Sequence, residues 1–233
     1  MVLNWPDFWA STLRASDPMR RLCFWALLLL IPLLVSCSPS PRASVVTGCA
    51  DAQAACLQGL ATVTMQTSHG EFTIEVNGDA APLTAGNFID LVRRGTYDGT
   101  MFHRVVREPV PFVVQGGDPQ SSDRSVPLGQ LGTGSFVDPD NGQARMIPLE
   151  IKFRSEPQPR YSRVSTNPAE LDGLELTHER GAVAMARSQA PDSASAQFYL
   201  ALRPLPELDG RYAVFGRVVD LSLIHISEPT RPY

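Results

Sequence analysis

The chain has 233 residues, of which 43% are hydrophobic and 19% charged, a composition typical of a folded globular protein. Its net charge of −4 argues against a nucleic-acid-binding protein that is held by phosphate contacts. The four cysteines all lie in the first quarter of the chain, which excludes a disulfide framework or a cysteine-rich zinc site in the main body.

Residues 1–36 are predicted to be a signal or upstream extension. Arg20 and Arg21 precede the apolar stretch Leu22–Val35, which is too short to span a bilayer comfortably and is typical of a secretory signal. Cys37 follows directly after Leu, Val and Ser, which favours a bacterial lipoprotein with a lipidated Cys37 over an ordinary secretory signal. We therefore expect an exported protein, anchored to a membrane by this lipid on its periplasmic or lumenal face.

Residues 37–60 are predicted to be a tether between the lipid anchor and the folded domain. The segment is small, polar and proline-containing at first, and then rich in alanine. Cys49 and Cys56 lie seven residues apart in a compartment that permits disulfides. A local disulfide and two free thiols both remain open, because the sequence does not supply the geometry that would decide between them.

The pattern of hydrophobic residues changes at about residue 61. Thr62–Thr67 and Glu71–Val76 alternate between apolar and polar residues, which predicts a β-hairpin. Phe72, Ile74 and Val76 share one face of the second strand, so this face is expected to be buried.

A helix is predicted next, followed by short strands and long loops. The helix is expected to begin near Pro82, with Thr84 as a candidate N-cap, and to end at Gly95. The predicted strands lie within Phe102–Val106, Phe112–Gln115, Pro148–Phe153, Gly181–Ala186, Phe198–Leu202 and Tyr212–Val219. Short strands, long loops and few helices predict an all-β sandwich or barrel.

The sequence shows no pattern typical of a metal or cofactor site. The four histidines never occur in a ligand-like pair, so a zinc site is not expected. Asp138–Gly142 is similar to the start of a calcium loop, but Leu149 occupies the position where the loop requires a carboxylate. We therefore interpret Asp138–Gly142 as a turn and expect neither a metal nor a cofactor.

The most specific pattern lies in the middle of the chain. Phe102–Val106 reads Phe-His-Arg-Val-Val, and Phe112–Asp118 reads Phe-Val-Val-Gln-Gly-Gly-Asp. This pair resembles the signature of the cyclophilin family of peptidyl-prolyl isomerases. Pro82–Phe88, Ser195–Tyr199 and Leu208–Gly216 resemble three further blocks of the family in the same order. The resemblance covers about residues 61–220, the predicted domain.

The resemblance implies a mainly β fold, a closed eight-stranded antiparallel barrel with a helix over each end. After residue 220 the family would continue with a helix and a barrel-closing strand. Residues 221–233 instead resemble a translated sequencing adapter, so we expect them not to be native and the family's last helix and strand to be missing.

The resemblance also implies a mechanism and a set of site residues. Rotation about an Xaa-Pro bond has a barrier of about 18–20 kcal/mol, and the twisted amide has a prolyl nitrogen that regains its lone pair. A fixed donor aimed at this nitrogen stabilises only the twisted state. By resemblance Arg104 is this donor, Gln115 holds Arg104, and Phe112 forms the pocket floor. The expected substrate-binding residues are Val113, Tyr199 and Leu208 around the proline ring, and Ala186, Arg187, Ser188 and Tyr212 along the substrate backbone.

Three positions depart from the family pattern. The loop Arg107–Pro111 is longer than usual, which is expected to alter the approach to the pocket while leaving the phase of the strands intact. Glu207 stands where cyclosporin-sensitive members carry Trp, so weak cyclosporin binding is expected. Val113 replaces the usual Met and should make a shallower, stiffer wall.

The predicted function is therefore peptidyl-prolyl cis-trans isomerisation in proline-containing segments of exported proteins. The alternative is a non-catalytic module on the same fold that binds proline-containing peptides as a chaperone or assembly factor. A monomer is expected, since the family is commonly monomeric, and no nucleic-acid partner is expected.

Overall fold

The computed structural model describes residues 48–49 and 56–219. The predicted signal, the predicted lipidation site Cys37 and the predicted non-native tail lie outside these residues. The described elements are β1 Leu60–Thr67, β2 Gly70–Asn77, α1 Pro82–Arg93, β3 Arg104–Val105, β4 Val113–Gly116, β5 Glu150–Ile151, β6 Arg160–Tyr161, α2 Pro168–Leu171, β7 Ala182–Met185, β8 Phe198–Ala201 and β9 Val214–Val218. Short 3₁₀ helices span Pro119–Ser122, Leu128–Gln130 and Pro206–Leu208.

The fold is mainly β, as the sequence predicts. Seven strands form one antiparallel sheet in the order β1-β2-β9-β7-β8-β4-β3, and β5 pairs with β6 separately. The prediction of a closed eight-stranded barrel is not confirmed within the described residues, because β1 and β3 lie at opposite edges of the sheet. The expected helix over each end is seen once, as α1, since α2 has only four residues.

The N-terminal hairpin is confirmed. β1 and β2 pair along their whole length, from Leu60 opposite Asn77 to Thr67 opposite Gly70. The three alternate apolar side chains of β2 are at most 1% exposed, so they face the core as the period-2 pattern requires.

Helix α1 begins earlier than its predicted cap. Ala81, and not Thr84, is the N-cap residue, and no side chain of the helix caps it. The buried Glu150 does so from β5, since its carboxylate accepts hydrogen bonds from the backbone N–H groups of Leu83 (3.1 Å) and Thr84 (2.7 Å). The Thr84 prediction was wrong because a partner 66 residues away satisfies the free N–H groups that a local cap would otherwise serve.

The central sheet buries a different set of side chains on each of its two faces. One set includes Phe198, Leu200 and Phe215, and packs with Phe88 of α1 in the largest cluster of buried residues. The other set is a smaller cluster with alanines on both β7 and β8 and Tyr199 among its members. Alternation along β8 separates the two sets, and the second face carries the candidate site.

The segment before β1 is attached to the domain. Cys49 and Cys56 form a disulfide, which resolves the alternative that the sequence left open. Leu57 follows this disulfide, and its N–H donates to the carbonyl of Pro82 at the start of α1 (2.9 Å). In the part of the chain that the structure describes, no helix has the length and apolar character needed to cross a membrane.

Candidate functional site

Arg104 and Gln115 face each other across the hairpin of β3 and β4. They are directly paired in the antiparallel register, which places their side chains on the same face. Nη1 of Arg104 donates a hydrogen bond to Oε1 of Gln115 (3.2 Å), while the rest of the exposed guanidinium remains accessible. The long loop leaves this pairing intact, because the N–H of Val106 donates to the carbonyl of Val113 and the N–H of Phe112 donates to the carbonyl of Val106, both at 2.9 Å.

Gln115 is held in turn by a buried amide. Its Nε2 donates to Oε1 of Gln197 (3.0 Å), and Nε2 of Gln197 donates to the carbonyl oxygen of Gly134 (2.8 Å). We call Arg104, Gln115, Gln197 and Gly134 the glutamine chain. Each amide oxygen in it accepts and each amide nitrogen donates, so the chain has one consistent direction from Arg104 to the carbonyl of Gly134.

Asp118 organises the loop that supplies the end of the glutamine chain. Its side chain is fully buried and accepts hydrogen bonds from the N–H groups of Gln120 (2.9 Å), Gly132 (2.6 Å) and Gly134 (3.2 Å). A Cβ atom on Gly134 would lie 2.1 Å from Oδ1 of Asp118, so only glycine fits there. The aspartate that ends the sequence signature therefore positions the carbonyl on which Gln197 rests.

The predicted apolar pocket residues lie together. Val113 and Tyr199 are buried in the smaller cluster, and the partly buried residues packed against it include Phe112, Leu208 and Tyr212. Ala186 packs against the same cluster. We call the surface formed by Phe112, Val113, Tyr199, Leu208 and Tyr212 the slot. Because Tyr199 is paired with Gln115 in the register of β4 and β8, the slot and Arg104 share one face of the sheet.

The buried Tyr199 forms the floor of the slot, and its hydroxyl is held by a polar partner. The hydroxyl of Tyr199 lies 2.8 Å from Nε2 of His178, and Nδ1 of His178 lies 2.7 Å from Oδ1 of Asp209. Burial raises the pKa of Tyr199 well above its ordinary value, and the nearby Tyr212 adds to the shift. The hydroxyl therefore keeps its proton and remains a donor at physiological pH.

The guanidinium of Arg187 binds backbone carbonyls beside the slot. Its guanidinium donates to the carbonyls of Arg211 (2.6 and 3.0 Å), Ser188 (2.8 Å) and Gln189 (3.1 Å). It also lies over the ring of Tyr212, 4.7 Å from the centroid. Arg187 thus connects the loop after β7 to the loop before β9, and these two loops form the wall of a shallow groove beside Tyr212.

An ion pair takes the place of the missing tryptophan at the rim. Nη2 of Arg203 lies 2.6 Å from Oε1 of Glu207, and this hydrogen bond lowers the pKa of Glu207. The Arg203 guanidinium is also 5.9 Å from the ring centroid of Phe112. The rim of the slot therefore carries an ion pair at the position where cyclosporin-sensitive members carry Trp.

The structure brings the three predicted catalytic residues and the predicted slot residues to one face of the sheet. Sequence reasoning missed Gln197, His178 and Asp209 as parts of the site. Two of them lie inside or next to blocks that carried the resemblance, since Gln197 precedes Phe198 and Asp209 follows Leu208. Across residues 48–49 and 56–219, no group of three or more His, Cys, Asp or Glu side chains could hold a metal ion.

The chain is similar to known proteins of one family. The profile of the family described as cyclophilin type peptidyl-prolyl cis-trans isomerase/CLD matches residues 62–226. A putative thylakoid lumen peptidyl-prolyl cis-trans isomerase of Synechocystis sp. is 40% identical over 174 residues, which is 70% of this chain but only 42% of the relative. A peptidyl-prolyl cis-trans isomerase of Schizosaccharomyces pombe is 32% identical over 180 residues, covering 74% of this chain and 92% of that protein.

A solved structure is also similar. The crystal structure of a cyclophilin type peptidyl-prolyl cis-trans isomerase from Cryptosporidium parvum, in the presence of the dipeptide Ala-Pro, aligns with a TM-score of 0.52. The sequence identity is 25%, and the alignment covers 75% of this chain and 88% of that one.

Proposed function

Because the chain belongs to the cyclophilin-type peptidyl-prolyl cis-trans isomerase family, we propose that it accelerates cis-trans rotation about Xaa-Pro bonds. The observation that carries this proposal is the placement of Arg104, held by Gln115, on the same face of the sheet as an apolar slot. The reaction breaks no covalent bond, so a donor and a slot are the groups that it requires.

In the proposed mechanism the slot holds the proline ring, and Arg104 acts on the prolyl nitrogen. As the amide twists, this nitrogen loses resonance with the carbonyl and becomes a hydrogen-bond acceptor. A guanidinium remains charged and has five N–H donors. In Arg104 only the Nη1 group donates to Gln115. The donor favours the twisted amide over the planar one, and the barrier falls by the difference.

A protease-coupled assay with an Ala-Pro peptide tests this mechanism. Arg104→Ala should lower kcat/KM by about 100-fold, comparable to the loss of one preorganised donor to a developing lone pair. Arg217→Ala is the matched control, since Arg217 is an exposed arginine on β9 that pairs with Glu75. An inactive wild-type protein, or an Arg104→Ala variant as active as the control, would overturn the proposal. Binding of the peptide without catalysis would favour the alternative of a proline-peptide-binding module.

We further propose that the substrates are proline-containing segments of exported proteins, and that the protein works as a membrane-anchored monomer. The thylakoid lumen location in the name of the Synechocystis relative supports export. Lipidation of Cys37 is a prediction from the sequence alone, and mass spectrometry of the mature N-terminus tests it. An unmodified Cys37 would refute the anchor without affecting the isomerase proposal. The closed barrel stays a prediction, since it requires pairing beyond the described strands.

A further inference from the structure

Three residues, the partly buried Asp209 and the buried His178 and Tyr199, form a hydrogen-bonded chain that ends in the slot. We call them the tyrosine chain. Oδ1 of Asp209 accepts a hydrogen bond from the backbone N–H of His178 (2.8 Å) and lies 2.7 Å from its Nδ1. A carboxylate oxygen only accepts, so Nδ1 of a neutral imidazole carries the proton and Nε2 is the acceptor. The hydroxyl of Tyr199 donates to Nε2 of this neutral imidazole (2.8 Å).

The ring of Tyr199 is restrained by Tyr212 as well as at its tip. The imidazole of His178, which contacts the hydroxyl, lies nearly parallel to the ring, with a centroid distance of 5.9 Å and an interplanar angle of 10°. The ring of Tyr212 meets it edge-on at 5.8 Å and 85°. His178 is itself fixed, because its carbonyl accepts a hydrogen bond from the N–H of Leu205 (2.8 Å). The floor of the slot is thus connected to the 205–209 segment, which supplies the Leu208 wall.

The hydroxyl of Tyr199 is the atom that joins the slot to His178. A phenylalanine could not donate to His178, so the connection between the floor and the 205–209 segment depends on the tyrosine oxygen. Since an unpartnered buried polar atom is costly, a tyrosine at this position requires an acceptor such as His178.

We propose that His178 and Asp209 are positioning residues for the isomerase reaction, acting through Tyr199. The inference rests on the proposed function. Tyr199 is directly opposite Gln115, and Gln115 holds Arg104, so the three residues form one row across β8, β4 and β3. The place of the proline ring on Tyr199 sets the distance from the prolyl nitrogen to the Arg104 guanidinium.

This arrangement predicts a specific kinetic effect. The slot contacts the proline ring in the planar and the twisted states alike, whereas the contact to Arg104 exists only in the twisted state. A small displacement of the floor should therefore lower kcat and leave KM almost unchanged. Loss of general stability would not produce this split when both variants are assayed well below their melting temperatures.

The test compares Tyr199→Phe with Tyr97→Phe in the full chain. Each variant removes one phenolic hydrogen bond, and Tyr97 donates instead to the carbonyl of Ala196 (2.9 Å), outside the slot. Tyr199→Phe should lower kcat about 3- to 10-fold at unchanged KM, the rate equivalent of one hydrogen bond. Tyr97→Phe should lose similar stability and keep its kcat. Equal kcat values for the two variants, in a wild-type protein that is active, would overturn the positioning role.

Two further measurements separate the positioning role from a structural one. In ¹⁵N NMR spectra His178 should be the Nδ1–H tautomer, and addition of an Ala-Pro peptide should shift its Nε2 resonance. An Nε2–H tautomer, or a resonance that the peptide leaves unchanged, would contradict the proposal. In a double-mutant cycle, His178→Leu combined with Tyr199→Phe should lose no more kcat than His178→Leu alone, since both act through one contact. A wild-type protein without isomerase activity would refute the proposed function instead.

Discussion

Replacement of Gln197 by alanine interrupts the glutamine chain at its buried centre. Gln197 accepts a hydrogen bond from Gln115 (3.0 Å) and donates one to the carbonyl of Gly134 (2.8 Å). The variant leaves Arg104 and its direct partner in place, but the amide that restrains this partner is gone. We expect a moderate loss of activity from the lost hydrogen bond to Gln115, and a loss of stability from the lost hydrogen bond to Gly134.

The two effects can be estimated separately. The bond to Gln115 restrains the support of Arg104, and the loss of one such bond, about 0.5–1.5 kcal/mol, corresponds to a fall of about 2- to 13-fold in kcat/KM. The bond to Gly134 satisfies a buried carbonyl, and leaving it unpaired should cost about 1–3 kcal/mol of unfolding free energy. Gln197→Ala should thus remain folded and retain measurable activity.

The assay is the protease-coupled rate on an Ala-Pro peptide, with urea unfolding of the same preparations. Gln66→Ala is the control, because Gln66 is an exposed glutamine on the edge strand β1. It should change neither quantity measurably. If Gln197→Ala loses stability but keeps the wild-type kcat/KM, Gln197 does not support Arg104, and the glutamine chain has only a structural role.

Two further predictions concern stability. Arg145→Ala should lower the unfolding free energy by about 3 kcal/mol in urea, since Arg145 is 1% exposed and binds both Asp90 and Asp138. Arg94→Ala, which removes only an exposed partner of Asp90, should lower the unfolding free energy much less, and equal losses from the two variants would contradict the reasoning. Burial raises the pKa of Glu150 in the folded protein. Its contribution to the unfolding free energy is therefore complete at pH values below the ordinary glutamate pKa, and it is lost as the pH rises through the pKa of the folded state. The unfolding free energy of wild type minus that of Glu150→Gln should therefore fall as the pH rises above the ordinary glutamate pKa, and a constant difference would show that the carboxyl group is not destabilised by burial.

The sequence by itself determined the elements whose signals are local. The alternating residues of β2 predicted its buried face, because side chains of a strand point to opposite sides in turn. The Phe-His-Arg and Gln-Gly-Gly-Asp blocks predicted Arg104 and Gln115 as site residues through the family resemblance, and the structure pairs these two residues across one hairpin. The prediction was wrong at the helix cap, where Thr84 was expected and the carboxylate of Glu150 binds the free N–H groups.

Only the tertiary structure decided the contacts between distant parts of the chain. Gln197 meets Gln115 across 82 residues, and His178 meets Asp209 across 31, so no local spacing could reveal either pair. The pairing of Cys49 with Cys56 was likewise undecided until the backbone was placed, because disulfide formation depends on the distance and direction of two side chains. Residue types that the chemistry requires are readable from the sequence, whereas the polar groups that hold them in place become visible only when the sheet brings its strands together.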